Sequence, residues 1–165
     1  MPGPPTARLK PCPDALAANL LIAPCIVCLR KVIALKYANH MPEFVVASNT
    51  GMLRSEQYSC VDWSCVDLSR RDLFIPGNKN GRSGHLPLNS EALAAFEELH
   101  RRTGGRYPVF ASRHRGEFLR GPRHRYVDAV EEAGLADFAW YDLRHDFGSV
   151  VRALVPKRLG NIIRM

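Results

Sequence analysis

The chain has 165 residues, 46% hydrophobic and 24% charged, with a formal net charge of +7. That is enough for one domain with a real core and too little for two comfortable ones. No apolar run approaches the roughly 20 residues of a membrane span, so a spanning helix is excluded and a cytoplasmic protein is expected.

The N-terminal lead, residues 1–13, carries Pro2, Pro4, Pro5, Pro11 and Pro13 and lacks the apolar centre of a signal peptide. The five cysteines are an odd count in a chain with no secretory signal, so no disulfide framework is expected. Basic residues cluster late, in His100-Arg101-Arg102, Arg106, Arg113-His114-Arg115, Arg120 and Arg123-His124-Arg125. Such an excess favours a polyanion, with nucleic acid the leading partner, although a merely solvated basic face fits the charge equally well.

Asp14 can cap a helix running to about Ile22. Pro24 opens a second apolar segment, Cys25 to about Tyr37, and Pro42 a third helix carrying Phe44, Val45, Val46 and Ala47. Asn49-Thr50-Gly51 is a break, and Ser55 to Tyr58 a short helix after it. The period then changes. Cys65–Leu68, Asp72–Pro76 and His85–Leu88 read as three short strands around two polar turns, the second being Gly77-Asn78-Lys79-Asn80-Gly81. Asn89 or Ser90 caps a helix from Glu91 to about Arg102, with Leu93, Phe96 and Leu99 inward and Gly104-Gly105 closing it. Tyr107–Phe110 is an extended piece followed by a basic loop, Arg113 to Arg120. Pro122 opens a helix to Ala133, which Gly134 closes. The expected fold is α+β, mainly helical, with a small three-stranded antiparallel sheet.

The stretch Trp140 to Phe147 starts the last helix and sets Arg144 and His145 side by side. Asp142 favours its positive N-terminal end, and Leu143, Phe147 and Val151 form a stripe at four-residue spacing. Arg144 falls at the edge between core and solvent, where its planar fork can meet a phosphate.

Three stretches in order carry a resemblance: Asn49 to Gln57, the Lys79-Asn80-Gly81-Arg82 turn followed by Leu86-Pro87-Leu88, and Asp142-Leu143-Arg144-His145. Together they resemble the catalytic domain of the tyrosine recombinases, or phage integrases, over about residues 42 to 150. The resemblance implies that fold, with 14–165 as a partial catalytic domain. It also implies double-stranded DNA as partner, with DNA recombination and integration as the process. Members of that family cut a strand with a tyrosine and rejoin it. Two arginine forks stabilise charge on the phosphate, a hairpin lysine protonates the leaving oxygen, and a histidine handles protons. On this chain Lys79 falls on the hairpin lysine, Arg144 on the second arginine and His145 on the histidine that follows it. Arg82, Arg113, Arg115, Arg120, Arg123 and Arg125 are the implied DNA contacts, positioning the duplex through its phosphates.

The departures bear on cleavage. The family's first arginine directly follows the Gly-Met or Gly-Leu pair, and that position is Leu53. Arg54 comes one residue late, which turns its direction by about 100° on a helix. Tyr141 occupies the family's histidine position three residues before Arg144, and a phenol near pKa ~10 is a poor proton shuttle at neutral pH. The nucleophile should lie well beyond Arg144, yet none of the five tyrosines follows Tyr141.

The pair Cys25–Cys28, with Cys60 and Cys65, has the count for a four-thiolate zinc site. The first pair lies in an apolar helical segment and the second is wide and lacks glycine, so buried thiols, no metal and no cofactor are expected. The reading is a truncated, degenerate copy that binds DNA and does not cleave it alone, with no small-molecule substrate. Its alternatives are a recombinase completed by other recombinase protomers that supply the tyrosine, and a non-functional remnant.

Overall fold

Leu29, Val32 and Ile33 recur at helical spacing, and in the computed structural model they form the buried face of helix α1, Ile22–Lys36. The structure describes residues 22–77, 83–106, 108–110, 123–135 and 138–154. They divide between two units: Met1–Met41 with Pro122–Phe138, and Pro42–Gly121 with Ala139–Met165. The Pro-rich lead and the helix expected from Asp14 fall outside the described residues.

In the first unit α1 packs on α5, Arg123–Glu132, whose Ala129 and Val130 are buried together with Ala133 and Leu135 beyond its end. Lys36 Nζ lies 2.8 Å from Glu132 Oε2 across that pair. Pro24 was expected to open α1, but the helix begins two residues earlier. A proline within the first turn forfeits only an N–H that has no intrahelical acceptor anyway. At the far end Gly134 takes a left-handed φ of 68° and closes α5 as expected.

The second unit holds α2, Met41–Thr50 (from Pro42), α3, Arg54–Ser59, the sheet, α4, Ser90–Thr103, and α6, Trp140–Leu154. Strands β1 (Val66–Asp67), β2 (Asp72–Ile75) and β3 (Gly84–Pro87) pair antiparallel in the order β1-β2-β3. Leu73 stands opposite both Val66 and Leu86 and is wholly buried, so it fixes which face of β2 meets the core. Asp67 shapes the first turn by accepting from Arg70 N at 2.9 Å and from Ser69 Oγ at 2.7 Å.

Asn89 caps α4, its Oδ1 accepting from Ala92 N at 2.8 Å, and Gly104 ends it at φ 64°. Ala92, Ala95, Phe96 and Leu99 are the buried residues of that helix. Leu93, expected inward, is only half-buried because the two small alanines bring the backbone close and turn the stripe toward themselves. Residues 108–110 form a turn instead of the expected extended piece, with Val109 and Phe110 buried; Tyr107 lies outside the described residues. A chain of rings runs through this core. Phe96 lies 6.4 Å from Phe110, Phe110 lies 5.3 Å from Tyr58 edge-on, and Tyr58 lies 5.9 Å from Trp140. It sets the start of α6 against α3.

Candidate functional site

Helix α2 ends in a run that satisfies itself. Thr50 Oγ1 donates to Val46 O at 2.7 Å, and Gly51 N–H reaches Ala47 O at 3.2 Å. The chain then reverses through Gly51, whose φ of 60° favours glycine. Space demands glycine as well, since a Cβ there would meet Phe147 Cδ1 at 2.6 Å. The turn is therefore pressed against α6, and its carbonyl becomes an acceptor for a side chain of that helix.

That side chain is Arg144, whose Nη1 donates to Gly51 O at 2.9 Å. The same nitrogen lies 3.8 Å from Glu56 Oε2, with the Arg144 side chain 42% exposed and that of Glu56 8%. The buried carboxylate is held mainly by α3 itself, accepting from Leu53 N–H at 2.7 Å. This is the acidic half of a capping box; Leu53 has no acceptor to supply the other half. With one N–H committed to a carbonyl, the guanidinium keeps donors for an external anion. Its exposure keeps the pair with Glu56 weak.

Helix α6 presents Arg144 from a fixed start. Asp142 Oδ2 accepts from Ala139 N–H at 2.7 Å, at the positive end of the helix where its carboxylate was expected to be favourable. Leu143 is buried, while Phe147 and Val151 are half-buried, so the expected stripe thins toward the C-terminal end. Tyr141, Arg144 and His145 are exposed together, one helical turn apart on the same face. The Tyr141 and His145 rings meet edge to face, with centroids 4.6 Å apart and planes at 85°.

Leu53 is the extended residue before α3 and is half-buried. Arg54 stands on the first turn of α3, one helical turn before Tyr58. Glu56, which faces Arg144, is two positions from Arg54 and so about 200° around the helix. Arg54 therefore leaves α3 on a different side from the carboxylate that faces Arg144. Tyr58 lies on α3 and is buried in the core. Its Oη donates to Glu43 Oε2 at 3.2 Å. Burial, and then the Glu43 carboxylate, push its pKa well above the usual phenol value, which keeps it protonated.

Sequence reasoning missed one tie. Asn89 Nδ2 donates to Asn49 Oδ1 at 2.7 Å, while Asn49 Nδ2 donates to Val45 O at 2.9 Å. The cap of α4 is thereby joined to the last turn of α2, just ahead of Gly51. Two asparagines forty residues apart give no local signal of such a bond.

Lys79, Arg82, Arg113, Arg115 and Arg120 lie outside the described residues, as does the side chain of Arg123. Arg125 belongs to the first unit, where its exposed guanidinium Nη1 meets His40 Nε2. His100 is exposed, and its ring lies edge-on to Trp63 with centroids 4.8 Å apart. Of the cysteines expected as buried thiols, Cys65 is buried whereas Cys25, Cys28 and Cys60 are half-buried. Among the described residues no group of three or more His, Cys, Asp or Glu is placed to hold a metal ion. Nor is any helix among them long and apolar enough to cross a membrane.

The model of the phage integrase family matches residues 31–153. No curated protein matches the chain. Among solved structures, XerA recombinase is 20% identical at a TM-score of 0.67, covering 95% of this chain and 55% of that one. The Tn1549 transposon integrase in complex with circular intermediate DNA is 20% identical at a TM-score of 0.61, covering 84% and 54%. A variant of that integrase in complex with transposon right end DNA is 16% identical at a TM-score of 0.62, covering 80% and 52%. The chain spans a little over half the length of these proteins. The mainly helical fold with its three-stranded antiparallel sheet is that of tyrosine-recombinase catalytic domains.

Proposed function

Because the chain belongs to the phage integrase family, we propose that it holds duplex DNA by its phosphates and does not cleave strands on its own. The observation that carries this reading is Arg144, half-exposed and braced on the Gly51 carbonyl, beside a position filled by Leu53. One rigid guanidinium suffices to grip a phosphate. Stabilising the charge that gathers on a phosphate under attack calls for several cations aimed at one point. Leu53 supplies none, and Arg54 leaves α3 about 200° around the helix from Glu56, which faces Arg144. Tyr141, where the family pattern has histidine, moves protons poorly at neutral pH.

Lys79 and His145 are the retained proton-handling groups of the site in this reading. Arg82, Arg113, Arg115, Arg120, Arg123 and Arg125 make phosphate contacts of their own, and no metal or cofactor takes part. The neighbouring Tn1549 integrase is recorded in complex with DNA, which supports the same class of partner here. Strand cleavage with a partner protomer's tyrosine would still lack the cation at residue 53.

The test has two arms at neutral pH and low salt. Fluorescence anisotropy with a generic duplex should show binding that weakens about tenfold in Arg144→Ala, the loss of one charge-assisted bidentate contact. A nicked substrate that traps covalent protein–DNA adducts should give none with this chain alone. An adduct would sink the non-cleaving half of the proposal. Absence of binding by a folded sample would sink the other half.

A further inference from the structure

We infer that Tyr141 and His145, together with Arg144, form a platform that takes an unpaired base, so that the site favours DNA with a single-stranded gap over intact duplex. This rests on the DNA reading above and adds a preference to it. Tyr141 is 52% exposed at the start of α6. Its ring is not loose, because the His145 ring stands edge to face against it with centroids 4.6 Å apart. An aromatic ring held in place and open to solvent loses little freedom when a base lies on it.

Arg144 sits on the same helical face, braced by Gly51 O at 2.9 Å. A braced cation one helical turn from an ordered ring offers the two things a single strand presents in alternation, a phosphate and a base face. Intact duplex offers only the phosphate, since its base faces are stacked inside the helix. A tyrosine in the position where the family pattern has histidine thus enlarges the stacking surface, as a phenol ring has more area than an imidazole. Stacking tolerates any base, so the preference is for unpaired structure and not for sequence.

The experiment uses the full chain and three probes of one sequence: an intact duplex, the same duplex with a short single-stranded gap, and the single strand alone. Binding is compared at one salt concentration for wild type, Tyr141→Ala, Tyr141→Phe and His145→Ala, with circular dichroism confirming that each variant is folded. Wild type should bind the gapped probe about tenfold more tightly than the intact one, the worth of one stacked base. Tyr141→Phe should keep that ratio, Tyr141→Ala should bring it to about one, and His145→Ala should fall between because the ring loses its brace. Equal binding of gapped and intact probes by wild type, or a ratio that survives in Tyr141→Ala, overturns the platform while leaving the DNA reading intact. Failure of folded wild type to bind any of the three overturns both.

Discussion

At Gly51 two requirements coincide, and each alone would select glycine. Its φ is 60°, and an added Cβ would stand 2.6 Å from Phe147 Cδ1. A left-handed non-glycine residue costs about 1–2 kcal/mol, and overpacking a tight contact costs about 1–3 kcal/mol. Gly51→Ala should therefore destabilise the fold by about 2–4 kcal/mol, read as a lower midpoint in urea. An unchanged midpoint would mean that neither the turn nor the α6 contact is as tight as described. The sequence was enough to locate this break, and the family resemblance placed Leu53 where a cation was expected. It could not show that the Gly51 carbonyl is the seat of Arg144, because backbone acceptors carry no residue signature. Nor could it show that Glu56 is buried beneath Arg144. The only hint was a glutamate three residues after Leu53, at capping-box spacing with a leucine in the wrong place.

Elements with strong local chemistry read cleanly from the chain. The sheet emerged from its turns, and α4 from Asn89 at one end and Gly104 at the other. Boundaries set by packing did not: α1 runs through its proline, and the buried face of α4 rests on Ala92 and Ala95 where Leu93 was expected. Asn89 illustrates both cases, since its cap is local and its bond to Asn49 is not. Asn89→Ala removes both and should cost about 1–2 kcal/mol. Asn89→Ser keeps a cap acceptor yet is too short to reach Asn49, so it should cost roughly half as much. Urea midpoints of the two variants, measured with Asn49→Ala alongside, check the division. If Asn89→Ser matches Asn89→Ala, the cap contributes nothing beyond the tie to α2.

For the whole molecule the relevant quantity is charge. A formal +7 is distributed over many side chains, and phosphate binding depends on how many of them displace counterions. A resemblance carried by three short stretches identified the fold, while the basic residues outside those stretches say how strongly a polyanion should be held. The logarithm of the binding constant should fall linearly with the logarithm of salt, by about 0.9 per phosphate neutralised. Replacing Arg123 and Arg125 with glutamine removes two charges from α5, in the first unit, leaving the Gly51–Arg144 seat untouched. The slope should then shrink by about two, with weaker binding to every duplex regardless of sequence. Arg144→Ala should shrink it by about one, the loss of the single phosphate contact proposed for it. A double variant with an unchanged slope would place α5 away from the DNA and leave the late basic cluster as a solvated face. A slope lowered by both sets of changes in proportion to charge would instead count each helix among the elements that neutralise phosphates.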